Sequence, residues 1–353
     1  MDRPTIGGGS MKKLLNTLYV LSEDAYLSLD GENVVVLRPE QPDSRFPLHT
    51  LENILCFSYK GASPALMGKC SRDRIGLSFF TPRGQFLTRC WGENNGNVLL
   101  RKEQYRRSDN LEESCLVARQ MILGKVYNSR WVLLRGVRDH ALRLEVEPLQ
   151  RSAHLLKNSL REIQICSSLE RLRGLEGEAS STYFGVLDSL ILQNRETFFF
   201  RQRSRRPPKD AFNALVSFVY TLLANLCASA LEGVGLDSYV GFLHRDRPGR
   251  VSLALDLMEE LRPLLGDRFV LTLINHRLIR PEHLSFRENG TVLLTDQGRK
   301  IFLNAWQERL RETLTHPFLN EKLSWGLVPH IQAQLLARYL RGDLDAYPPF
   351  LWK

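Results

Sequence analysis

Residues 91–110, Trp-Gly-Glu-Asn-Asn-Gly-Asn-Val-Leu-Leu-Arg-Lys-Glu-Gln-Tyr-Arg-Arg-Ser-Asp-Asn, separate two parts of the chain that have different hydrophobic patterns. The stretch begins rich in glycine and asparagine and continues strongly polar, as a linker does. Short runs with β-like patterning precede it, and apolar residues at helical spacing follow it. The sequence therefore predicts an α+β protein with two domains. A small β-sandwich-like domain, residues 11–107, precedes a larger all-α domain, residues 108–353.

Two turn signals support the β prediction for the first domain. Asp30-Gly31 and Thr81-Pro-Arg-Gly84 each lie between two short apolar runs, which is a strong hairpin pattern. The paired runs are residues 26–29 with 34–37, and residues 75–80 with 85–90. Residues 1–10 end in Gly-Gly-Gly-Ser before a second methionine, so they are interpreted as a tag and excluded from the fold prediction.

The second domain is predicted to be helical with one interruption. Helices are expected over Leu111–Leu123, Trp131–Val146 and Leu155–Leu175. Residues 269–300 then predict a helix, a β-wing and a second helix. That order is found in DNA-binding winged-helix elements and in plain scaffolds, and both readings stay open. The cations of a DNA-binding wing would be Arg277, Arg280, Arg299 and Lys300.

The segment Ala211–Leu231 has no charged residue and is long enough to span a bilayer. Polar residues recur in it every four positions, which gives a continuous polar stripe on a helix: Asn213, Ser217, Thr221, Asn225 and Ser229. Such a stripe is of use inside a helical domain, where it makes close contacts and hydrogen bonds, and is of no use against lipid. A buried helix of a non-membrane protein is therefore predicted.

The composition is that of an ordinary globular protein, and its charge favours a polyanionic partner. The 353 residues are 43% hydrophobic and 25% charged, with a formal net charge of +9. That excess of cations favours nucleic acid or an anionic surface as a partner. Six cysteines are scattered without a C-x-x-C pair, which argues against a zinc ribbon and a disulfide framework. With no secretory signal visible, a cytoplasmic location is expected.

The segment Leu255-Asp-Leu-Met-Glu-Glu260 carries the first candidate acids. On a helix, Asp256 and Glu259 share one face opposite the apolar residues, so a plain amphipathic helix with solvated acids is the simpler alternative. His244 precedes them at the start of a loop rich in cations, which would place imidazole, carboxylates and a phosphate-binding patch together. A lone histidine is more often structural, and the pairing alone leaves the two readings balanced.

A further carboxylate lies in Gly174-Leu-Glu-Gly-Glu178. Glutamate and small polar residues also favour a helix N-terminus, and the residues alone do not distinguish Glu176 from Glu178. Glutamate and histidine ligands together form a hard site that suits Mg²⁺ or Mn²⁺.

Two clusters of arginine are candidates for contact with the DNA phosphate backbone. The run Arg201-Gln-Arg-Ser-Arg-Arg-Pro-Pro-Lys209 is stiffened by its prolines, and the loop after His244 carries three further cations. Charge runs are usually solvated surface, which is the alternative. The predicted DNA-contact residues are Arg201, Arg203, Arg205, Arg206, Arg245, Arg247 and Arg250. Motifs for nucleotide hydrolysis, dinucleotide binding and serine hydrolysis are absent from the sequence.

Taken together, eight segments in this order and spacing resemble the CRISPR-associated adaptation endonuclease/integrase family, Cas1, and most closely its subtype I-C members. They include Phe46–Ile54, Gly61–Gly68, Gly174–Gly177, Gly241–His244 and Leu253–Pro263. The resemblance covers essentially the whole chain from Met11. It implies an N-terminal β-domain for dimerisation and partner contact, and a C-terminal helical domain that holds the metal site.

The resemblance also implies the site residues, cofactor and partners. The metal ligands of the family fall on Glu176, His244 and Glu259, and a further catalytic acid falls on Asp256. The implied cofactor is Mg²⁺ or Mn²⁺. The implied partners are double-stranded DNA, a second copy of the chain, the small second adaptation protein in a heterohexamer, and the accessory nuclease of subtype I-C. No membrane partner is expected.

The implied activity is insertion of short double-stranded DNA fragments at the repeat array, by attack of a 3′-hydroxyl on a phosphodiester. Two other functions stay open at this point. One is a non-enzymatic, winged-helix-type DNA-binding protein whose acids cap helices. The other is an architectural subunit that only positions the accessory nuclease.

Overall fold

The computed structural model describes residues 16–73, 75–81, 86–90, 98–204 and 207–353. These residues form two compact units, one of residues 16–81 and 87–90 and one from residue 98 onward. The predicted tag at residues 1–10 and the last three residues of the predicted turn Thr81–Gly84 lie outside the described residues.

The first unit contains two sheets and one helix. A three-stranded sheet is formed by β2 (Tyr26–Asp30), β3 (Asn33–Arg38) and β4 (Gln41–Pro47). A four-stranded sheet has the order β1-β5-β6-β7, and its strands are β1 (Asn16–Val20), β5 (Leu51–Cys56), β6 (Gly76–Phe80) and β7 (Phe86–Arg89). The helix is α1 (Pro64–Arg72). The β-rich class predicted for this part of the chain is confirmed.

The hairpin predicted at Asp30-Gly31 is present in the three-stranded sheet. The four-stranded sheet, in contrast, contains parallel strand pairs, which are not hairpins. Strands β2 and β3 are antiparallel, with Tyr26 opposite Leu37 and Gly31 at φ +56°. Strands β1, β5 and β6 are parallel neighbours, which local turn signals cannot reveal. Helix α1 supplies the crossover that a parallel β5–β6 pair requires. Its N-terminus is capped by the Ser63 hydroxyl, with Pro64 in the first turn.

The core of the first unit lies where α1 and the inward faces of both sheets meet. Its fully buried members include Leu27, Val34, Ile54, Leu66 and Leu77. This core is built within the described residues of the first unit, so the unit has its own hydrophobic centre.

The second unit begins with four helices. They are α2 (Val98–Asp109), α3 (Leu111–His140), α4 (Val146–Ile165) and α5 (Leu169–Leu187). Helix α3 is continuous where the sequence predicted two helices, and the predicted helix over Leu155–Leu175 is interrupted between Ile165 and Leu169. Asn110 caps α3 by accepting hydrogen bonds from the N–H groups of Glu112 and Glu113, at 2.9 and 3.2 Å.

Helix α2 belongs to the second unit, although the sequence predicted a linker over residues 91–110 and a first domain that ends at residue 107. The buried side chain of Gln104 explains the difference. Its Nε2 donates to the carbonyls of Asp237 and Val240, both at 2.8 Å, and its Oε1 accepts from the N–H of Asp237. These long-range hydrogen bonds order a stretch whose polarity alone is typical of a loop.

The remaining elements are mostly helical and include two small hairpins. The helices are α6 (Ala211–Gly233), α7 (Ser252–Glu259), α8 (Arg268–Asn275), α9 (Asp296–Arg311) and α10 (Val328–Leu340). The hairpins are β8 (Leu284–Phe286) with β9 (Val292–Leu294), and β10 (Thr313–Thr315) with β11 (Lys322–Ser324). The predicted helix-wing-helix order is therefore present. The second part of the chain is largely helical and not all-α, because both hairpins lie within it.

Helix α6 is the helix of the described chain that is long and apolar enough to cross a membrane, and 67% of its most apolar window is buried inside the protein. Its predicted polar stripe is used for internal hydrogen bonds. Arg203 donates to Asn213 Oδ1 at 2.6 Å and to the Ser217 hydroxyl at 3.2 Å. The stripe therefore fixes the segment before α6 to the helix.

Candidate metal centre

Helix α5 presents Glu176 to the interior of the second unit. Glu176 lies near the middle of this helix, which begins at Leu169, so the reading of Gly174–Glu178 as a helix N-terminus is wrong. Two residues further along, Glu178 points to solvent and lies 3.6 Å from Arg171 across an exposed ion pair. The geometry thus distinguishes the two acids that the sequence left equivalent.

Helix α7 carries both Asp256 and Glu259 in buried positions. Asp256 is 0% exposed and Glu259 is 3% exposed. Buried carboxylates cost several kcal/mol unless charges or hydrogen bonds compensate them. The alternative of an amphipathic helix with solvated acids is therefore wrong for these residues.

The ammonium group of Lys125 joins the two glutamates. Lys125 Nζ, from α3, contacts Glu176 Oε1 and lies 2.9 Å from Glu259 Oε2. The Ser180 hydroxyl also donates to Glu176 Oε1, at 2.8 Å. Carboxylates from two helices that are distant in sequence therefore face one cation.

The third predicted ligand, His244, is held by Asp256. His244 Nδ1 lies 2.5 Å from Asp256 Oδ1, and the same oxygen accepts the His244 backbone N–H at 3.0 Å. Asp256 Oδ2 accepts the N–H groups of Phe242 and Leu243, at 2.6 and 2.9 Å. Because a carboxylate only accepts, Nδ1 carries a proton and the lone pair of a neutral imidazole is on Nε2.

The loop before His244 is tied to the helix that carries Glu176. Arg173, in α5, donates from Nη2 and Nε to the Leu243 carbonyl at 2.6 and 3.2 Å. Gly241 permits the close approach of this loop to α7, because a β-carbon there would lie 2.8 Å from Asp256 Oδ2. The positions of His244 and Glu176 are therefore coupled through one arginine.

Cations keep Glu259 charged despite its burial. Burial alone would raise the pKa of this carboxyl, but the charges of Arg262 and Lys125 outweigh it and lower the pKa to about 2. Arg262 Nη1 lies 2.8 Å from Glu259 Oε1, and its guanidinium stacks 5.1 Å from the Tyr220 ring centre. A π-helical turn, Arg262–Asp267, follows α7 directly and places this arginine. Glu259 is thus a full negative charge at neutral pH.

The donor set fits a hard divalent cation, although the side chains are not gathered around one. In the parts of the chain that the structure describes, no three His, Cys, Asp or Glu residues form a cluster that could hold a metal. The Lys125 ammonium lies between the two glutamates instead. Among the described residues, the buried Glu259 Oε2 accepts no hydrogen bond of good geometry, and the Lys125 ammonium lies 2.9 Å from it, a contact that a metal ion would replace. Two carboxylates and an imidazole match the ligands that Mg²⁺ and Mn²⁺ take.

The predicted DNA-contact arginines fall into three groups. Arg245 and Arg247 are exposed on the loop before α7, and Arg250 is half-buried there. Arg201 is exposed beside the Phe199 ring, whereas the Arg203 guanidinium is bonded to Asn213 and Ser217 inside the unit. A phosphate contact by Arg203 would require this internal network to open. Arg205 and Arg206 lie outside the described residues.

Of the four cations of the predicted DNA-binding wing, one is buried and three are exposed. Arg299 is buried and paired with Asp296. Arg277 donates to Gln193 Oε1 from Nη2 and Nε, at 2.8 and 3.1 Å, and Arg280 donates to the Arg277 carbonyl at 3.1 Å. Arg299 is therefore held within the protein, whereas Arg277, Arg280 and Lys300 lie on the surface.

Lys125 and Arg262 are site residues that the sequence interpretation missed. Lys125 lies on the face of α3 that also buries Met121, Ile122 and Val126. A lysine at helical spacing among buried apolar residues needs a buried partner, and this signal was available in the sequence. Arg262 follows Glu259 by one helical turn, a spacing at which ion pairs form.

Comparison with known proteins identifies the family. The family described as CRISPR associated protein Cas1 matches residues 18–308. Two CRISPR-associated endonucleases of this family, from Rhodospirillum rubrum and Chlorobaculum tepidum, are 50% and 46% identical to the chain. Each alignment covers 97% of this chain and 100% of the relative. A Cas4 exonuclease/Cas1 endonuclease fusion from Geobacter sulfurreducens is 34% identical over 95% of this chain, which spans 60% of the fusion.

Solved structures share the fold. A Cas1 protein from Thermotoga maritima has a TM-score of 0.79 and 25% identity, with 93% of this chain and 97% of that chain covered. A casposase bound to its integration product has a TM-score of 0.80 and 21% identity, with coverage of 96% and 93%. A chain of a Cas6-RT-Cas1–Cas2 complex has a TM-score of 0.80 and 21% identity, and the match covers 98% of this chain and 37% of that one.

The last two likenesses concern the fold alone, because their sequence identity is low. The family assignment rests instead on the match over residues 18–308 and on full-length relatives with close to half of their residues identical. On this evidence, the chain belongs to the Cas1 family of CRISPR-associated endonucleases.

Proposed function

We propose that this Cas1 protein is a divalent-metal-dependent DNA endonuclease and strand transferase that inserts short double-stranded DNA fragments at a CRISPR repeat. The observation that carries the proposal is the approach of Glu176 and Glu259 to one cation, with His244 held on α7 by Asp256 and its loop tied to α5 by Arg173. Three separate segments of sequence thereby supply hard ligands to one place in a cationic protein.

Glu176, Glu259 and the Nε2 atom of His244 are the residues that would hold the ion. When bound, Mg²⁺ or Mn²⁺ supplies Lewis-acid polarisation of a phosphoryl oxygen and neutralises charge in the transition state. The reaction is a transesterification, in which a 3′-oxygen forms a new bond to phosphorus while the bond to the leaving oxygen breaks. Because DNA provides the nucleophile, no nucleophilic protein residue is needed, and water in place of the 3′-hydroxyl gives hydrolysis.

The role of Asp256 is to position His244. Both carboxylate oxygens already accept two hydrogen bonds each, so no lone pair of Asp256 is free in a suitable direction for an ion. This geometry supports a role in fixing the imidazole ring and its tautomer. Asp256 therefore acts through His244 and not as a ligand of its own.

The exposed loop before α7 is proposed to bind the DNA backbone. Arg245 and Arg247 are exposed on the loop that follows His244 directly, and the half-buried Arg250 closes the loop. Arginines in such a loop bind phosphate without reading bases, which suits fragments of any sequence. Arg201 is a further exposed cation that is proposed to bind phosphate.

We further propose the assemblies that the family resemblance implies. These are a homodimer, a heterohexamer with Cas2, contact with the accessory nuclease of subtype I-C, and a cytoplasmic location. The Cas1–Cas2 complex among the fold relatives supports the second proposal. The Cas4 fusion among the sequence relatives supports the third.

The metal requirement can be tested with a labelled DNA fragment and a plasmid that carries a repeat. Joining is expected with Mg²⁺ or Mn²⁺ and is expected to fall to background when EDTA is added, because the buried carboxylates lose their catalytic cation. Restoring an excess of Mn²⁺ should restore joining. Joined products that persist in EDTA would show that the reaction does not depend on a metal.

Replacement of Lys125 by methionine should change the stability of the protein in a metal-dependent way. Without metal, the two glutamates lose the ammonium between them, and the free energy of unfolding is expected to fall by about 3 kcal/mol. With Mn²⁺, the ion takes over this neutralisation, so most of the loss should disappear. The measurement is thermal unfolding of both proteins with and without Mn²⁺.

The exposed Lys157 of α4 provides a matched control for this experiment. Lys157→Met should leave the stability and its response to Mn²⁺ at the wild-type level. If Mn²⁺ stabilises Lys125→Met no more than it stabilises the wild type, the ion does not replace the Lys125 ammonium between the two glutamates.

A further inference from the structure

The C-terminal segment Tyr347–Lys353, here called the tail, contacts Glu260, the residue that follows Glu259. Glu260 Oε1 accepts hydrogen bonds from the Tyr347 hydroxyl and from Gln332 Nε2, the latter at 3.0 Å. Glu260 Oε2 accepts the backbone N–H of Phe350 at 2.7 Å. The side chains of Glu260, Gln332, Tyr347 and Phe350 are buried. Glu260, which directly follows α7, is therefore hydrogen-bonded to the tail.

Helix α3 connects the tail to the same end of α7. Asn128 Nδ2 donates to the carbonyls of Glu260 and Phe350, at 2.7 and 2.8 Å, and Asn128 Oδ1 accepts the Trp352 N–H at 3.0 Å. Gly124 allows the close contact, because a β-carbon there would lie 2.7 Å from the Glu260 β-carbon. Lys125, which lies between Gly124 and Asn128 on α3, faces Glu259.

Three elements thus meet in a buried polar junction directly beside the proposed metal centre. Both oxygens of the Glu260 carboxylate accept hydrogen bonds. A small displacement of α7, α3 or the tail would therefore break at least one hydrogen bond of the junction. Gln332 and the tail also follow residue 308, where the match to the Cas1 family ends.

We propose that the tail is a positioning element, which fixes the end of α7 through Glu260 and thereby sets the position of Glu259 against Lys125 and Glu176. The inference rests on the proposed function, because it assigns a role in the same reaction. A displacement of about 1 Å at a reacting centre lowers rates by up to about a hundredfold. Loss of the tail contacts should therefore weaken metal binding and slow joining without weakening DNA binding.

Two substitutions test this role with little change in shape. Tyr347→Phe removes one hydrogen-bond donor to Glu260. Glu260→Gln replaces one accepting oxygen by an NH₂ group, which then faces a donor of the junction and cannot accept its hydrogen bond. Tyr339→Phe is the matched control, because it removes a tyrosine hydroxyl from α10, where the ring packs on Arg107. Each protein is examined well below its unfolding temperature. The Mn²⁺ dissociation constant is measured by electron paramagnetic resonance, and kcat and KM are measured for joining.

Both junction variants are expected to raise the Mn²⁺ dissociation constant and lower kcat about tenfold, with KM for DNA unchanged. The control should match the wild type. If Glu260→Gln does not fold, Tyr347→Phe decides alone. Folded variants with wild-type Mn²⁺ affinity and kcat would overturn the positioning role. A wild-type protein that neither binds Mn²⁺ nor joins DNA would instead overturn the proposed function, and the inference with it.

Discussion

Replacing Glu176 with alanine is expected to lower the rate of DNA joining by at least a thousandfold, to background. Glu176 supplies one of the two carboxylates that face Lys125, and it is the one contributed by α5. Without it, a divalent ion loses a charged ligand and the centre loses one of its negative charges. The measurement is joining of a labelled fragment to a repeat-containing plasmid in Mn²⁺.

Folding and DNA binding should survive this substitution. Glu176 is half-buried and lies on a helix whose buried core residues are others, including Leu172 and Leu175. Glu178→Ala is the matched control, because it removes an exposed glutamate from the same helix. The assignment of Glu176 is contradicted if its alanine variant joins DNA at the wild-type rate, or if the Glu178 variant is equally inactive.

Replacing Asp256 with asparagine should lower joining about a hundredfold and also lower the free energy of unfolding by about 2 kcal/mol. The carboxylate accepts four hydrogen bonds, and an asparagine of the same shape accepts with one oxygen only. If its amide group donates to His244 Nδ1, the proton of the imidazole moves to Nε2. The lone pair needed for metal binding is then lost.

The stability and activity effects of Asp256→Asn can be separated. Asp246→Asn is the control, since Asp246 lies in the same loop, is exposed and accepts one hydrogen bond from Gly241 at 3.2 Å. Mn²⁺ titrations well below the unfolding temperature should show weaker binding for Asp256→Asn and unchanged binding for the control. Wild-type Mn²⁺ affinity in folded Asp256→Asn would rule out the positioning role.

The family and the β-then-helical order of the chain were predictable from sequence. Asp30-Gly31 fixed one hairpin because its turn chemistry is local, and the order of eight separate segments indicated Cas1, as the family match confirms. With the family comes the function class, an endonuclease/integrase of CRISPR adaptation. The parallel pairing of β1, β5 and β6 was not predictable, because such partners meet through crossovers and not through turns.

The residues of the candidate site were predictable only as a set, and their contacts were not. Periodicity placed Asp256 and Glu259 on one helix face but could not show that the face is buried. The choice between Glu176 and Glu178 required the position of Lys125 in a different helix. Helix α2 illustrates the same limit, since Gln104 bonds to residues more than a hundred positions away.

The claim that Glu176, Glu259 and His244 share one divalent ion is tested most directly by the anomalous diffraction signal of Mn²⁺ in crystals of the protein grown with this ion. One strong peak is expected, bonded to Glu176, Glu259 and His244 Nε2, with the Lys125 ammonium displaced from its place between the two glutamates. Lys125 still bridging the glutamates at saturating Mn²⁺, or a peak that contacts none of these three side chains, would contradict this claim.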